Sequence, residues 1–362
     1  MSCGIVGLPN VGKSTIFNAL TRSAQALAAN YPFATIEPNV GEVPVPDPRL
    51  GVLADLSRSE RIVPATMRFV DIAGLVRGAA AGQGLGNAFL SHIRETDAIA
   101  MVVRAFADAN VTHVEGDPDP LRDIEIIDIE MGLADLASLA RRRDRLQREV
   151  RANPKDAPRL AALDRLIAAL EAGTPARAFA PDSLEAELAR ESFLLTAKPM
   201  LYVANVDEEQ ITSPGPMAQA IFEHARRENS RAIAFDGKIE SEFAGMSDDD
   251  VAIFRADYGI RSSGLDRLIV EAYDLLGLMT FLTTGEKETR AWTIAKGTRA
   301  PQAAGKIHTD IERGFIRAEI VSYDDYVTLK TMDAIRAAGK LRSEGKDYVM
   351  QEGDVVEFRF NV

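Results

Sequence analysis

The chain has 362 residues, a hydrophobic content of 46% and a formal net charge of −12 at pH 7. This length predicts two or three domains of about 150 residues each, and the acidic balance argues against broad, non-specific binding of nucleic acid. One cysteine, Cys3, excludes an internal disulfide, and with no membrane-length apolar stretch or signal peptide we expect a cytoplasmic protein without a membrane partner.

The first motif in chain order is a phosphate-binding loop. Residues 7–15, GLPNVGKST, match the Walker A pattern G-x-x-x-x-G-K-S. An apolar run at 3–6 predicts a buried strand before the loop, and the helical periodicity of residues 14–22 predicts a helix after it. This context disfavours the alternative, a chance match in an unrelated loop. The chain is therefore predicted to bind a nucleotide.

The residue types in this loop suit a phosphate chain. Glycines let backbone N–H groups converge on the anion, which also meets the positive end of the following helix. Lys13 is predicted to reach the β- and γ-phosphates and to act in catalysis, and the Ser14 hydroxyl to ligate Mg²⁺. The predicted nucleotide-binding residues of the loop are Asn10, Val11, Gly12, Lys13, Ser14 and Thr15.

Two later segments predict the rest of the Mg²⁺ site. Residues 30–39, NYPFATIEPN, form a loop in which Thr35 is predicted to complete the metal shell, with a threonine in an ordinary turn as an equal alternative. A strand at 67–71 ends in the D-x-x-G motif. Its Asp71 is predicted to hold Mg²⁺ through water, and the amide of Gly74 to sense the γ-phosphate.

The water-activating residue is not obvious from the sequence. Leu75 stands where Ras-type GTPases have a glutamine that orients the attacking water. A leucine side chain can neither donate nor accept a hydrogen bond, so we expect slow hydrolysis or help from another residue. His113 in the loop THVEG is the candidate. By itself the sequence favours the alternative, a surface-loop histidine, about two to one.

From residue 125 to 191 the pattern changes to a helical one. The spacing predicts a heptad-like seam, which breaks at NPKDAP (153–158) and then resumes. We expect an antiparallel helical hairpin with a basic distal part, which is either a solvated helix face or a patch for RNA or ribosomal protein. The predicted seam of the first helix is Ile126, Ile129, Leu133, Leu136 and Ala140.

The base-recognition motif departs from that of a GTPase. A predicted strand ends in NVDE at 205–208, where a GTPase would carry N-K-x-D. Asn205 is kept, Val206 replaces the lysine, and Glu208 occupies the position of the aspartate. We expect weaker guanine recognition, and hence an NTPase that is not a strict GTPase. Residues 232–235 are predicted to form the last base-side strand.

A separate module is predicted from residue 279 onward. It carries 13 basic and 13 acidic residues, so the acidic excess lies in the first 278 residues. Predicted strands at 292–294, 317–321 and 355–360, with a helix at 326–337, indicate a small sheet on one helix. No catalytic constellation is predicted there.

Over essentially its whole length the chain resembles the YchF-type Obg-like ATPases, a subfamily related to the Obg P-loop GTPases. The likeness rests on the P-loop, NYPFATIEPN, DIAGLVRGAAAGQGLGNAFL, THVEG, NVDE and the last 80 or so residues, which match a TGS domain. The resemblance implies an α/β fold: a P-loop NTPase with an Obg-like G domain (1–124 and 192–278), an inserted antiparallel coiled-coil hairpin (125–191) and a TGS domain of β-grasp type (279–362).

The resemblance also implies a function. It implies ATP preferred over GTP, weak Mg²⁺-dependent hydrolysis, and binding to the ribosome at the large subunit, with RNA contacts through the coiled coil and the TGS domain. His113 matches the histidine that stands in for the absent glutamine, and Asn10 resembles the residue that lets related NTPases use K⁺. Asp236-Gly237 departs from the expected Cys/Ser-Ala at the base. Two alternatives are a GTPase with relaxed base specificity and a nucleotide-gated ribosome-binding module with negligible turnover.

Overall fold

The computed structural model describes residues 1–28, 39–72, 85–107, 116–243, 246, 248–257, 259–260 and 262–361. The described residues divide into two compact units, one formed by 1–26, 39–41 and 68–268 and the other containing 42–67 and 269–361. Within these ranges, no helix has both the length and the apolar character needed to cross a bilayer.

The strands follow one another along the described chain as β1 (Ser2–Val6), β2 (Val40–Pro44), β3 (Ile62–Val63), β4 (Thr66–Asp71), β5 (Ala98–Arg104), β6 (Met200–Asn205), β7 (Arg231–Phe235), β8 (Leu278–Thr283), β9 (Thr289–Ala295), β10 (Phe315–Ser322), β11 (Arg342–Glu344) and β12 (Asp354–Phe360). The helices are α1 (Lys13–Ala28), α2 (Arg49–Ser57), α3 (Leu85–Arg94), α4 (Pro120–Ala152), α5 (Ala157–Glu171), α6 (Leu184–Glu191), α7 (Pro216–Arg227), α8 (Gly237–Phe243), α9 (Asp248–Asp257), α10 (Gly264–Leu275), α11 (Ala300–Ile307), α12 (Thr309–Arg313), α13 (Tyr323–Leu329) and α14 (Met332–Ala337).

The first sheet has the strand order β2-β4-β1-β5-β6-β7. The pairs β1–β4, β1–β5, β5–β6 and β6–β7 are all parallel. Every residue of β5 and β6 is buried, as expected for central strands covered on both faces. Because parallel strands end at the same edge of a sheet, the residues that follow β1, β4, β6 and β7 meet there.

The second sheet has the order β11-β10-β12-β8-β9-β3. Its core includes Phe281, Ala318 and Ile320, all fully buried. The strand β3, far away in the sequence, pairs in parallel with β9. Residues 42–67 and 269–278 thus group with the C-terminal segment, whereas the sequence assigned both to the nucleotide-binding domain.

Polar contacts tie the segment 42–67 to the C-terminal part of its unit. Arg49 donates two hydrogen bonds of 2.8 Å to Asp47 and one of 2.6 Å to Glu352. The Ser59 hydroxyl donates to the carbonyl of Gly285 (2.7 Å). The bonds from Arg49 to Glu352 and from Ser59 to Gly285 join residues more than 200 positions apart, so sequence proximity could not predict them.

The helices α4 and α5 form an antiparallel pair. They are joined by a short turn at 153–156, and Arg143 Nε on α4 donates to Asp164 Oδ1 on α5 (2.5 Å). The α4–α5 core contains Leu139, Leu146, Ala162, Leu163, Leu166 and Leu170.

The predicted seam of α4 is wrong at three of its five positions, whereas Ile126 is buried and Leu136 packs against the α4–α5 core. Ile129 and Leu133 are 52% and 50% exposed, and Ala140 is exposed as well. Between residues 129 and 140 the buried positions are instead Glu130, Met131, Asp135 and Leu139. The physical reason is Asp135, which takes the place of an apolar residue: its carboxylate accepts hydrogen bonds from Leu195 N (2.9 Å), Thr196 N (2.8 Å) and Thr196 Oγ1 (2.7 Å).

The predicted helix at 326–337 is also corrected. The chain forms two short helices, α13 and α14, because Lys330 adopts the left-handed conformation (φ 64°) and ends the first. Thr331 then caps the second helix, with its Oγ1 accepting from Ala334 N (3.3 Å).

Candidate nucleotide-binding site

The loop between β1 and α1 adopts a backbone conformation that requires glycine at two positions. Gly12 has φ 102°, a conformation that disfavours every other residue type. A Cβ at this position would collide with Nδ2 of Asn205, and one at Gly7 would lie 2.5 Å from the carbonyl oxygen of Val102. The carbonyl of Gly12 accepts the first bond of α1, from Ile16 N (3.0 Å). Both glycines of the motif are therefore required by close packing.

Lys13 is the buried cation of this loop. Only 6% of its surface is exposed, and its Nζ donates to the carbonyl oxygen of Leu8 (2.6 Å). Burial lowers the pKa of Lys13 to about 8, and the negative charge of Asp71 partly opposes that shift. An ammonium held in so poorly solvated a position interacts strongly with an anion that replaces the lost water.

The structure places two of the three predicted Mg²⁺ ligands in this region. Ser14, exposed on the first turn of α1, offers a hydroxyl, and Asp71 at the end of β4 offers a carboxylate. Burial raises the pKa of Asp71 and the charge of Lys13 lowers it. Hydroxyl and carboxylate oxygens are the hard ligands that Mg²⁺ prefers, so this donor set fits the ion.

Asn205 links the phosphate side of the site to the base side. Its Nδ2 donates to the carbonyl oxygen of Val11 (3.0 Å), and its Oδ1 accepts from the backbone N–H of Gly237 (3.3 Å). The side chain is buried. It therefore holds the P-loop and the start of α8 at a fixed separation, a role that the sequence analysis did not predict.

The other residues of the NVDE motif differ in environment. Val206 is 2% exposed, and its N–H donates to the carbonyl oxygen of Phe235 (2.9 Å). Glu208 is exposed. Burial raises the pKa of Asp236, and the negative charge of Glu208 is a smaller cause in the same direction. Asp236 Oδ1 caps α8 by accepting from the amide of Lys238 (2.7 Å), so the base side carries two acidic groups.

Three predicted site residues, Thr35, Gly74 and His113, lie outside the described residues. The same applies to Leu75. Their predicted roles stay predictions. Asn10, by contrast, is described and has φ 62° within the P-loop, and Val11 and Thr15 flank the buried Lys13 there.

A cluster of titratable residues lies on α4 and at the C-terminal end of α7. Ligand atoms of Asp128, His224 and Glu228 lie within 4.8 Å of one another. However, Arg177 donates to Glu228 (2.6 Å) and so does the hydroxyl of Tyr202 (2.8 Å). Because the guanidinium already neutralises Glu228, we assign these residues to an ion-pair network and not to a metal site.

The basic part of the helical pair contains a cavity of about 540 Å³. Some of its arginines are used internally: Arg142 pairs with Glu191, and Arg159 pairs with Glu187 (2.6 Å) and Glu191 (2.6 Å). The cavity is lined by Ser138, Arg141, Arg142, Arg145, Leu146, Glu149, Arg159 and Ser192.

Comparisons with known proteins agree with this geometry. A family model described as "50S ribosome-binding GTPase" matches residues 2–131, and the model YchF-GTPase_C, described as a protein of unknown function, matches residues 278–361. The Bacillus subtilis protein named ribosome-binding ATPase YchF is 50% identical, with 100% of both chains covered. This chain belongs to the YchF family. The YchF protein of Escherichia coli O157:H7 is 48% identical over 99% of both chains.

Solved structures support the same assignment. The YchF GTPase of Schizosaccharomyces pombe matches with a TM-score of 0.89 and 39% identity, over 99% of this chain and 97% of that one. A GTP-binding protein of Pyrococcus horikoshii, at 20% identity and a TM-score of 0.61, shows the same fold. The predicted family and the predicted P-loop G-domain fold are confirmed.

Proposed function

We propose that this YchF-family chain is a Mg²⁺-dependent ATPase of slow turnover that associates with ribosomes in the cytoplasm. The observation that carries the proposal is the P-loop with its buried Lys13, tied by Asn205 to a base side in which Val206 and Glu208 replace the residues that read guanine. The names of the relatives, ribosome-binding ATPases, support the same activity and partner.

Each candidate residue has a proposed role in phosphoryl transfer. Lys13 and the amides of residues 10–15 hold the phosphates, and Gly74 contacts the γ-phosphate. Ser14 and Thr35 would hold Mg²⁺ directly, and Asp71 through water. The ion, when bound, neutralises charge that develops on the phosphates. His113 is proposed to orient the water for in-line attack, and Asn10 to contact K⁺.

Base preference provides the direct test. Calorimetric titration with ATP and GTP, each with Mg²⁺, should show tighter binding of ATP. The double variant Val206→Lys, Glu208→Asp restores N-K-x-D and should shift the preference toward GTP, while Glu209→Asp, at the next exposed position, should leave it unchanged. Tighter binding of GTP by the unmodified protein would favour the alternative, an Obg-like GTPase with relaxed specificity.

Ribosome association is tested separately from turnover. Co-sedimentation with ribosomal subunits, with and without a non-hydrolysable ATP analogue, should show binding to the large subunit. If the α4–α5 pair contacts RNA, charge reversal of the exposed Arg141 and Arg145 should weaken the association.

Turnover tests the proposed role of His113. A His113→Ala variant that keeps full turnover would remove this histidine from the mechanism. Negligible turnover with intact nucleotide-dependent ribosome binding would favour the gated binding module, with further contacts through the C-terminal module.

A further inference from the structure

The α4 side chains that the predicted seam misplaced form an exposed apolar stripe. Ile129 and Leu133 lie four residues apart, on one face of the helix, and Leu121 lies two turns earlier at 39% exposure. Single exposed aliphatic residues are common, but a contiguous group beside a cavity indicates a contact surface.

The stripe borders a groove of about 500 Å³. Its walls are α4, the turn at 173–175 that follows α5, and α7, and its apolar lining includes Leu136 and Leu170. All of these residues belong to the first compact unit. We call this cavity the α4–α7 groove.

Gly132 is an independent sign that the groove is kept open. It lies inside α4 on the groove wall, where glycine weakens a helix relative to alanine. A Cβ at this position would meet no atom within 4 Å. Nothing in the described chain therefore requires a glycine here, and the missing side chain leaves space along the groove.

The groove is acidic, and its charge indicates the kind of ligand that it can bind. Glu125, Asp128, Glu171 and Glu228 line it, and none of the described residues in its lining is a lysine or arginine. Arg177 pairs with Glu228 (2.6 Å) and lies 3.9 Å from Oδ1 of Asp128, so the carboxylates left for a ligand are those of the exposed Glu125 and Glu171. An acidic surface of this kind repels the phosphates of RNA and attracts a cationic side chain.

We propose that the α4–α7 groove binds a short basic, amphipathic segment of a ribosomal protein. Aliphatic side chains of the segment pack on Ile129, Gly132 and Leu133, and a lysine or arginine pairs with Glu125 and Glu171. Apolar anchors with complementary charge are the usual means of recognising such a segment. This inference rests on the ribosome association proposed above. It assigns the contact made by the α4–α7 groove to a ribosomal protein and not to RNA.

Filling the groove tests the proposal without removing any contact. Gly132→Leu should bind purified Escherichia coli ribosomes at least about tenfold more weakly in co-sedimentation, with an unchanged or higher Tm because leucine favours helix. Gly51→Leu is the matched control: Gly51 also lies inside a helix, α2, and its Cβ would meet nothing within 4 Å. That variant should bind like the unmodified protein.

A photo-crosslinking amino acid in place of Leu133 identifies the contact. The expected product is a crosslink to a lysine- or arginine-rich segment of one ribosomal protein, reduced in the Glu125→Gln, Glu171→Gln background. Crosslinks to ribosomal RNA alone, or unchanged binding by Gly132→Leu, overturn the groove proposal and leave ribosome association standing. If the unmodified protein does not sediment with ribosomes, the ribosome association fails and the groove proposal fails with it.

Discussion

At the scale of single residues, Lys13 couples phosphate binding to protonation. Burial lowers its pKa from 10.5 to about 8 in the folded protein. The unfolded chain therefore binds more protons between these two values, so this residue's contribution to stability improves as pH rises through that window. A bound phosphate favours the charged form instead, and so raises the pKa.

ATP binding should consequently take up protons in alkaline solution. Near pH 7 Lys13 is already charged and little uptake is expected, whereas about half a proton should bind at pH 8 and nearly one at pH 9. The affinity for ATP should fall by up to about tenfold per pH unit above pH 8. Calorimetry in buffers of different ionisation enthalpy measures the uptake directly.

A charge-preserving variant separates Lys13 from other groups. Lys13→Arg keeps its charge at all these pH values, so its ATP binding, though weaker in absolute terms, should lose the proton uptake. Lys155→Met, at an exposed lysine in the α4–α5 turn, should keep it. Equal uptake at pH 7 and pH 9 in the unmodified protein would contradict the buried, low-pKa lysine.

The P-loop could be predicted from sequence because its chemistry is local: Gly7, Gly12 and Lys13 act at fixed spacing within one loop. Asn205 shows where that reasoning stops. The sequence assigned it to the base, whereas its side chain bridges Val11 and Gly237. The first of these contacts joins residues 194 positions apart, and only the folded sheet brings them together.

At the scale of secondary structure elements, periodicity predicted the α4–α5 pair but not its buried face. The helix α4 carries two apolar stripes, and the sequence favoured the one that contains Ile129 and Leu133. The choice depends on Asp135, whose partners Leu195 and Thr196 lie about sixty residues away. Burying a carboxylate between two helices destabilises the fold unless the carboxylate is hydrogen-bonded. Because these partners cannot be recognised from the sequence, periodicity favours the apolar stripe.

Truncating one leucine on each face tests the observed register. Leu139→Ala removes a fully buried side chain from the α4–α5 core and should destabilise the first unit by about 2–5 kcal/mol. Leu133→Ala, at a half-exposed position on the same helix, should change stability by no more than about 0.5 kcal/mol. Urea unfolding followed by circular dichroism measures both, and equal losses would support the seam predicted from sequence.

At the scale of the whole molecule, the segment 42–67 belongs to the same compact unit as residues 269–361. The sequence placed it in the nucleotide-binding domain because it lies between Thr35 and Asp71, two predicted Mg²⁺ ligands. Its strand β3 has only two residues, too few for a periodicity. The C-terminal sheet thus depends on a part of the chain that comes between the motifs of the other unit.

An excised C-terminal fragment should therefore be incomplete. A fragment of residues 279–362 lacks β3, which covers the edge of β9, and Arg49, which bonds to Glu352. An uncovered strand edge favours aggregation, and Glu352 loses its cation. We expect the fragment to melt at a lower temperature and less cooperatively than the same fragment joined to residues 42–67 through a Gly/Ser linker. Circular dichroism measures the melting, and hydrogen exchange should show faster exchange along β9 in the short fragment. Identical melting of the two fragments would mean that residues 279–362 fold independently of this segment.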